Sequence, residues 1–310
     1  MEGILKEALG CDRVRKMGGR GGGGCISEGQ SYVLDEKRTV FVKKNNNEDA
    51  RAMFTGEMEG LKSISLTDTV RVPQPIKVFD SGGGLYVIIM EHVEMLPLHK
   101  YNEELGTKLA QLHLHNINKI KTSIKTSGRV QSSDSAQSEL VDKFGFSIPT
   151  SCGLIPMPND WETDWIEFYA RHRLQPQIDR IIKNYNNRKL VELWSNLQLK
   201  MSQYFKDTEQ IFPSLLHGDL WAGNTAETAN GPVMFDPAVL YGHHEFDLSI
   251  SKMFSGFSSS FYEAYHKLIP ISPGFDTRLK LYQLFHYLNH WNHFGSSYEQ
   301  QSLSIMKQLI

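Results

Sequence analysis

Two polar motifs in the C-terminal half constrain this chain more than any other sequence feature. Residues 215–224 have the sequence LLHGDLWAGN, and residues 233–237, VMFDP, end an apolar run with an aspartate. Asn224 follows Asp219 by five positions, the spacing of the catalytic loop of phosphoryl-transfer enzymes. In such enzymes one carboxylate orients the attacking hydroxyl, while an Asn and a second Asp hold Mg²⁺ against the nucleotide phosphates. We therefore predict ATP and Mg²⁺ as cofactors, a catalytic Asp219, and Asn224 and Asp236 as metal ligands.

A glycine-rich segment near the N-terminus is a candidate for phosphate binding. Residues 17–29 have the sequence MGGRGGGGCISEG, which lets the backbone approach a ligand and point N–H groups at phosphate oxygens. A flexible hairpin would have the same composition, so this segment is weak evidence alone. The predicted nucleotide contacts here are Gly22, Gly23, Gly24, Cys25, Ile26 and Ser27.

A β-prone run and an amphipathic helix follow the glycines. Residues 39–43, TVFVK, predict a strand that ends in Lys43, and Glu57 lies beside the apolar stripe of the next helix. A glycine-rich hairpin, a strand lysine and a helix glutamate, in that order, form a kinase nucleotide lobe, in which the lysine contacts phosphates and the glutamate holds its ammonium. Alternation along the strand turns Lys44 to the opposite face. Glu59 remains an alternative partner, which would leave Glu57 a solvated carboxylate.

Two more strands complete the predicted N-terminal lobe. Residues 70–80 and 85–93 predict strands around a turn at 81–84. The polar connection after the second strand has the position of a kinase hinge, where backbone groups pair with adenine. The hinge residues, assigned from position alone, are Met90, Glu91, His92 and Val93. We place a boundary near residue 95, between a nucleotide-binding lobe (1–94) and a helical lobe (95–310) with the catalytic loop and acceptor site.

The second half is predicted to be mainly helical. Leu105, Leu109 and Leu112 indicate a helix that ends near residues 113–116. Residues 119–137 are rich in Ser, Thr and Lys and predict an exposed loop or partly disordered insertion.

Composition excludes several classes of protein. The formal net charge of the 310 residues is only −2, so neither nucleic acid nor a membrane surface is an expected partner. The three cysteines are odd in number and widely spaced, which argues against disulfides or zinc and favours a reducing compartment. The longest apolar run, residues 85–90, is too short to span a bilayer, and no signal peptide is evident. We predict a cytoplasmic protein.

These residues together resemble the fructosamine/ketosamine 3-kinase family over nearly the whole chain. The matching segments are GCISEG at 24–29, VFVK at 40–43, MFTGE at 53–57, LHGDLWAGN at 216–224, FDPA at 235–238 and YLNHWNHFG at 287–295. The resemblance implies an α+β, protein-kinase-like fold with a small β-rich N-terminal lobe and a larger helical C-terminal lobe. It also implies ATP-dependent phosphorylation of the O3 hydroxyl of ketosamines, free or on glycated proteins, which leads to deglycation.

The acceptor is expected near Trp221 and the helix that contains residues 278–293. A flat sugar adduct would pack between Trp221 and His290 or Trp291. Because His286, His290 and His293 share one helical face, a metal site is an alternative for this helix, although no carboxylate or thiol accompanies them in the sequence. The connection at 237–244 is too short for a long activation segment, which favours a small acceptor over a protein hydroxyl.

Several alternatives stay open. Asp247 either braces the His-Gly-Asp loop or is an exposed helix carboxylate. Cys25 is either a redox-sensitive thiol among phosphate-binding N–H groups or a small packing residue. The chain is alternatively a kinase for another small alcohol, of the aminoglycoside or choline kinase type, or a nucleotide-binding pseudokinase. A monomer and a homodimer are both compatible with the sequence.

Overall fold

A computed structural model describes residues 1–18, 27–126, 140–254 and 256–310. The predicted contacts of Gly22, Gly23, Gly24, Cys25 and Ile26, together with the redox role of Cys25, lie outside the described residues, as does most of the predicted insertion at 119–137. Within the described ranges, no helix combines the length and the apolar character needed to cross a membrane.

The N-terminal part is a five-stranded antiparallel sheet with one helix on each face. Its elements are α1 (Glu2–Leu9), β1 (Val14–Lys16), β2 (Glu28–Leu34), β3 (Arg38–Asn45), α2 (Ala50–Ser65), β4 (Pro75–Asp80) and β5 (Tyr86–Glu91). The strand order is β1-β2-β3-β5-β4, and every pairing is antiparallel. The sequence prediction of a β-rich N-terminal part is confirmed.

The two faces of this sheet bury different residues of β3. Val42 lies in the apolar cluster that contains Leu5 of α1, whereas Phe41 packs against the cluster that contains Phe54 of α2. Because successive side chains of a strand point to opposite faces, Lys43 is directed to the same side as Phe41. The alternation thus places Lys43 on the face covered by α2.

The C-terminal part is mainly helical, and its described residues, 95–126, 140–254 and 256–310, include three short two-stranded ladders. Its helices are α3 (Asn102–Thr126), α4 (Trp165–Phe168), α5 (Gln175–Tyr185), α6 (Arg188–Gln198), α7 (Glu245–Ser251), α8 (Ser259–Leu268), α9 (Phe275–Phe294) and α10 (Glu299–Gln308), and a π-helical turn, Tyr169–Leu174, joins α4 to α5. The ladders are β6 (Thr150–Cys152) with β7 (Ile155–Met157), β8 (Ser214–Leu216) with β11 (Leu240–Gly242), and β9 (Thr225–Thr228) with β10 (Gly231–Met234).

Helix α3 is longer than the sequence analysis predicted. It continues past residues 113–116 to Thr126, so the predicted end was wrong and the first part of the predicted 119–137 loop is helical. Two polar residues at the predicted end, His113 and Asn116, are buried and have specific partners. The Asn116 amide donates to the carbonyls of Val141 and Pro213, at 2.7 Å each. Ile120 is buried as well and extends the apolar face by another turn.

Helix α2 packs closely on the C-terminal part through two glycines. A Cβ on Gly56 would stand 3.0 Å from the carbonyl oxygen of Pro149, and one on Gly60 would stand 2.8 Å from the Val239 side chain. Larger residues would push the helix away from its neighbours. This close approach fixes Glu57, which lies between the two glycines, relative to the C-terminal part.

A buried hydrogen-bonded chain of side chains lies at the centre of the C-terminal core. The Trp165 indole N–H donates to the Tyr282 hydroxyl at 2.8 Å, and this hydroxyl lies 2.8 Å from Nδ1 of His243. Since the indole is only a donor, the phenol completes its bonding by donating to an unprotonated Nδ1. Burial lowers the pKa of His243 to about 3, because a charged imidazole would lose its hydration.

This neutral histidine should make the protein sensitive to acid. The unfolded chain binds a proton at His243 below about pH 6.5, while the native state does so only near pH 3, so stability falls as the pH decreases between these values. Between pH 7.5 and 5.5 we expect His243 to remove about 1.4 kcal/mol from the free energy of unfolding. Urea titrations at the two pH values should show a loss that is about 1.4 kcal/mol smaller in His243→Gln than in the wild type, because the other buried histidines contribute equally to both proteins. The same change at the exposed His99 is the control, and an equal pH dependence in all three proteins would contradict the argument.

Candidate active site

The loop that follows β8 has one backbone shape imposed by a glycine. Gly218 has a φ of 82°, and a Cβ there would lie 2.0 Å from the carbonyl oxygen of Ala238. Only glycine fits this close approach without strain. Residues 217–224 therefore turn directly beneath the segment that carries Asp236.

Asp247 holds this loop from below. Its two carboxylate oxygens accept the backbone N–H groups of His217 and Gly218, at 2.8 Å each, and Nε2 of His113 lies 3.1 Å from one of them. The side chain is completely buried, so the alternative of an exposed helix carboxylate is wrong. Burial alone would raise the pKa of Asp247, but the hydrogen bonds and charges of its partners lower it below the usual value. The group is a carboxylate that matches the N–H donors of the loop.

His217 connects the loop to the segment before Asp236. Its Nε2 lies 3.0 Å from the Phe235 carbonyl oxygen, and its Nδ1 accepts the backbone N–H of Asp219 at 3.3 Å. Burial lowers the pKa of this imidazole. A neutral ring with its proton on Nε2 satisfies both contacts, which ties the two motifs of the sequence together.

The three predicted polar residues lie together. The side-chain amide of Asn224 donates to the Asp219 carboxylate at 3.1 Å. The backbone N–H of Phe235 donates to the backbone carbonyl of Asn224 at 3.0 Å. Asp236 has a φ of 57°, a left-handed conformation that is uncommon for residues other than glycine and frequent at functional sites. Burial, reinforced by the nearby Asp236 and Asp247 carboxylates, raises the pKa of Asp219 to about 7.

Lys43 stands between two carboxylates. Its Nζ lies 2.6 Å from Glu57 and 2.5 Å from Asp236. Burial alone would lower the pKa of Lys43, but the two carboxylates raise it, so the ammonium keeps its charge. The neighbouring residues that the sequence analysis weighed are occupied elsewhere, since Lys44 pairs with Glu28 and Glu59 pairs with Lys62.

The predicted hinge lies at the end of β5. Met90 is buried in the cluster beneath α2. The Glu91 backbone N–H donates to the Gln74 carbonyl at 2.8 Å, and the Glu91 side chain pairs with Arg71. The His92 imidazole lies 2.9 Å from the Ser31 hydroxyl. The Glu91 N–H is therefore engaged within the protein, and the groups that remain for a ligand belong to the connection after it.

A surface that we call the aromatic wall extends from the catalytic loop to the end of α9. It consists of Trp221, Phe254, His290, Phe294 and Tyr298, whose neighbouring ring centroids are 5.1 to 6.1 Å apart. The Trp221 indole lies across Gly223, where a Cβ would stand 2.1 Å from the ring. The sequence analysis identified Trp221 and His290. Phe254, Phe294 and Tyr298 were not predicted as members of this surface, although the four-residue spacing of His290 and Phe294 was a usable signal.

Trp291 is not part of this wall, so its prediction as an acceptor contact is a mistake. The side chain is fully buried in the C-terminal core and packs against Tyr185. Consecutive residues of a helix point about 100° apart, so Trp291 faces the core when His290 faces the site. His293 also has a structural contact, because its Nε2 accepts the Leu154 backbone N–H at 2.9 Å.

Comparison with known proteins decides the family. The model of the fructosamine kinase family matches residues 4–310. The chain belongs to the fructosamine kinase family. Ketosamine-3-kinase of Mus musculus is 54% identical over 100% of this chain and 99% of its own length. Protein-ribulosamine 3-kinase of Oryza sativa subsp. japonica is 37% identical over 93% of this chain and 77% of its own length.

A solved structure confirms the fold of this family member. The crystal structure of a candidate fructosamine-3-kinase from Thermobifida fusca aligns with a TM-score of 0.79 at 24% identity, over 99% of this chain and 97% of that one. The predicted α+β, protein-kinase-like architecture is thus confirmed, with a β-rich N-terminal part and a helical C-terminal part.

The Asp247 contacts predict a specific defect in Asp247→Asn. An asparagine presents one oxygen and one NH₂ group, so it cannot accept both loop N–H groups, and one buried N–H would lose its partner at a cost of about 1–3 kcal/mol. We expect lower stability and a lower kcat with a nearly unchanged KM for ATP, because Lys43 and Glu57 do not contact Asp247. Thermal unfolding and steady-state kinetics measure these effects, and Asp207→Asn, an exposed site, is the control. Normal kcat in Asp247→Asn would show that the loop does not depend on this carboxylate.

Proposed function

We propose that this protein is an ATP-dependent ketosamine 3-kinase, which transfers a phosphoryl group to the O3 hydroxyl of sugars joined to amines. The observation that carries the proposal is the convergence of Lys43, Glu57 and Asp236 in one ion cluster beside the hydrogen-bonded pair Asp219 and Asn224. Identity of 54% over the full length to a ketosamine-3-kinase supports the acceptor class.

The nucleotide is proposed to bind between residues 1–94 and residues 95–310. Lys43 would contact its phosphates, and the backbone of the connection after Glu91 would pair with the adenine. The phosphate contacts predicted at residues 22–27 remain a prediction from the sequence. The ion pairs of Lys43 with Asp236 and Glu57, which keep its ammonium charged, support this role.

The donor set at the base of the site fits Mg²⁺. Asn224 uses its amide N–H on Asp219, which leaves its oxygen for a cation, and Asp236 is a partly exposed carboxylate. Oxygen ligands of this kind suit Mg²⁺, which also takes phosphate oxygens. When bound, the ion would supply positive charge that neutralises the phosphates during transfer.

Asp219 is proposed to orient the acceptor hydroxyl and to receive its proton. A pKa of about 7 suits a group that accepts a proton near neutral pH. Because phosphoryl transfer has a loose transition state, fixed charges and positioning contribute more than proton removal. The side chains of Asp247 and His217 accept the backbone N–H groups of residues 217, 218 and 219, which fixes the course of the loop up to Asp219.

The aromatic wall is proposed to hold the sugar. Trp221 is 39% exposed and lies two residues from Asp219, so a sugar face stacked on it would place a hydroxyl near the carboxylate. Only residues 237–244 separate Asp236 from α7, so this connection is too short to cover the side of the site where the acceptor would bind. We further propose glycated proteins and small ketosamines as substrates, and a cytoplasmic location.

The reaction is tested by incubation with ATP, Mg²⁺ and a panel of fructosamine, ribulosamine and psicosamine adducts, followed by mass spectrometry. We expect the mass of one phosphoryl group to be added, and a loss of about 10²–10⁴ in kcat for Asp219→Asn. Asp207→Asn should behave as the wild type. An aminoglycoside and choline in the same panel test the alternative acceptors. If no ketosamine gains a phosphoryl group, the proposed function is refuted, and turnover abolished in Asp219→Asn would exclude a pseudokinase.

Trp221→Ala tests the acceptor surface separately from the chemistry. Loss of an aromatic contact of about 0.5–1.5 kcal/mol should raise the KM for a ketosamine roughly 2- to 12-fold and leave the KM for ATP unchanged. His290→Ala should act in the same direction. Trp161 is 42% exposed and lies outside the aromatic wall, so Trp161→Ala is the matched control. An unchanged ketosamine KM in both site variants would remove the wall from the acceptor site.

A further inference from the structure

Two side chains with no role in the proposed reaction lie directly beside Asp219. Cys152 ends β6 and is 3% exposed, and His286 lies in the middle of α9 with no exposed surface. One donor atom from each of Cys152, Asp219 and His286 lies within 4.8 Å of the other two. Three ligand types from three distant parts of the chain thus meet at the catalytic carboxylate.

His286 has a bonding capacity that the surrounding protein does not use. Among the described residues, neither ring nitrogen of His286 has a hydrogen-bond partner, although both are buried. Buried polar atoms without partners are uncommon and costly. A neutral imidazole always has one nitrogen with a free lone pair, and burial keeps this ring neutral by lowering its pKa to about 3. The His286 imidazole is therefore neutral and has an unused lone pair, which is the form of histidine that binds a metal ion.

We propose that Cys152, Asp219 and His286 form a binding site for Zn²⁺, and that zinc bound there inhibits the enzyme by occupying Asp219. Thiolate, imidazole and carboxylate are the ligands that zinc takes in proteins. With zinc–ligand bonds of about 2.0–2.3 Å, tetrahedral donors stand roughly 3.3–3.8 Å apart, so the observed group needs to contract by only about 1 Å. Asp219 is half-buried, which leaves the fourth position open to the cleft.

The same ligands discriminate against the Mg²⁺ of the reaction. Mg²⁺ takes oxygen ligands and avoids thiolate and imidazole, whereas both suit zinc. The proposed Mg²⁺ ligands, Asn224 and Asp236, are oxygen donors. Zinc and Mg²⁺ would therefore occupy separate sets of ligands on the two sides of Asp219.

Burial and the neighbouring Asp219 carboxylate raise the pKa of the Cys152 thiol well above its usual range, so Cys152 is a neutral thiol until a cation enters the site. The Asn289 amide, which donates to its Sγ at 3.2 Å, and the buried Arg173 act against this shift, and a bound zinc ion would add the positive charge that favours the thiolate. Arg173 is itself bonded to the Pro158 carbonyl and the Asn159 side chain. Binding breaks the S–H bond, releases the proton to solvent and forms the Zn–S bond, with no change of oxidation state. The carboxylate and the thiolate offset the charge of the ion beside Arg173.

Binding and inhibition depend on different premises. The zinc site requires only the three ligands, whereas inhibition also rests on the proposed role of Asp219. A carboxylate that coordinates zinc cannot accept a proton from the acceptor hydroxyl. A protein that binds zinc but never phosphorylates a ketosamine would refute the proposed function and leave the site in place.

The site is tested first by spectroscopy in a Cys11→Ser, Cys25→Ser background, where Cys152 is the one remaining thiol of the three in the sequence. Co²⁺ added in the presence of excess Mg²⁺ should produce a sulfur-to-cobalt charge-transfer band, and one equivalent of Zn²⁺ should abolish it. Absence of the band would overturn the proposal without recourse to any further variant.

Ligand variants then assign the site. Calorimetry with Zn²⁺ should show one site in the background protein and an affinity at least about tenfold lower in Cys152→Ser and in His286→Asn, since the loss of even an outer-shell partner costs that much. His266→Asn, a half-buried histidine on α8, is the matched control and should bind as the background does. Circular dichroism and thermal unfolding check that each variant is folded. Unchanged zinc affinity in folded Cys152→Ser would overturn the assignment.

Kinase assays test the inhibition. With ATP and Mg²⁺ in excess, zinc should reduce the wild-type rate, and a zinc-selective chelator should restore it. Cys152→Ser, compared with its own zinc-free rate, should lose at least about tenfold in sensitivity. Equal inhibition of both proteins would show that zinc acts elsewhere, for example in place of Mg²⁺.

Discussion

The active-site loop depends on one buried carboxylate. Removing a charge from water costs several kcal/mol, and the cost is offset only when hydrogen bonds satisfy the group. Asp247 meets this requirement with two backbone N–H groups of the catalytic loop and with His113. These bonds oblige the backbone to turn at Gly218, where no side chain would fit. The positions of Asp219 and Asn224 follow from that turn, so the stability of the core and the geometry of the site have the same origin.

The second constraint joins the two parts of the molecule. Lys43 comes from β3, Glu57 from α2 and Asp236 from the segment after β10, and one ammonium contacts both carboxylates. Such a cluster is useful only if its members are held at fixed distances before the nucleotide arrives. Gly56 and Gly60 provide this by letting α2 touch the C-terminal part closely. Phosphoryl transfer that depends on fixed charges would therefore depend on the absence of side chains at Gly56 and Gly60.

Contacts that follow from local sequence pattern could be predicted. Strand alternation separated Lys43 from Lys44, and the order of motifs favoured Glu57 over Glu59, as the ion pairs show. Contacts with a distant partner could not. Asn116, at the predicted end of α3, is buried because its side chain donates hydrogen bonds to the carbonyls of Val141 and Pro213, which lie far along the chain. Trp291 and His290 are adjacent in sequence but face the core and the site respectively, and Cys152 meets Asp219 only through the fold. Such encounters have no periodic signature.

The proposed catalytic carboxylate and the proposed acceptor contact lie in the same loop. Trp221 belongs to the loop that carries Asp219, and its ring rests on Gly223 of that loop. A sugar stacked on the indole would therefore be positioned relative to the carboxylate by a short rigid connection, which is the kind of orientation that lowers a reaction barrier. The far end of the aromatic wall is different, since Phe294 is largely exposed. The sugar would be held at the Trp221 end while the amine that carries it extends into solvent, which would allow the proposed site to accommodate both a small ketosamine and a sugar attached to a protein.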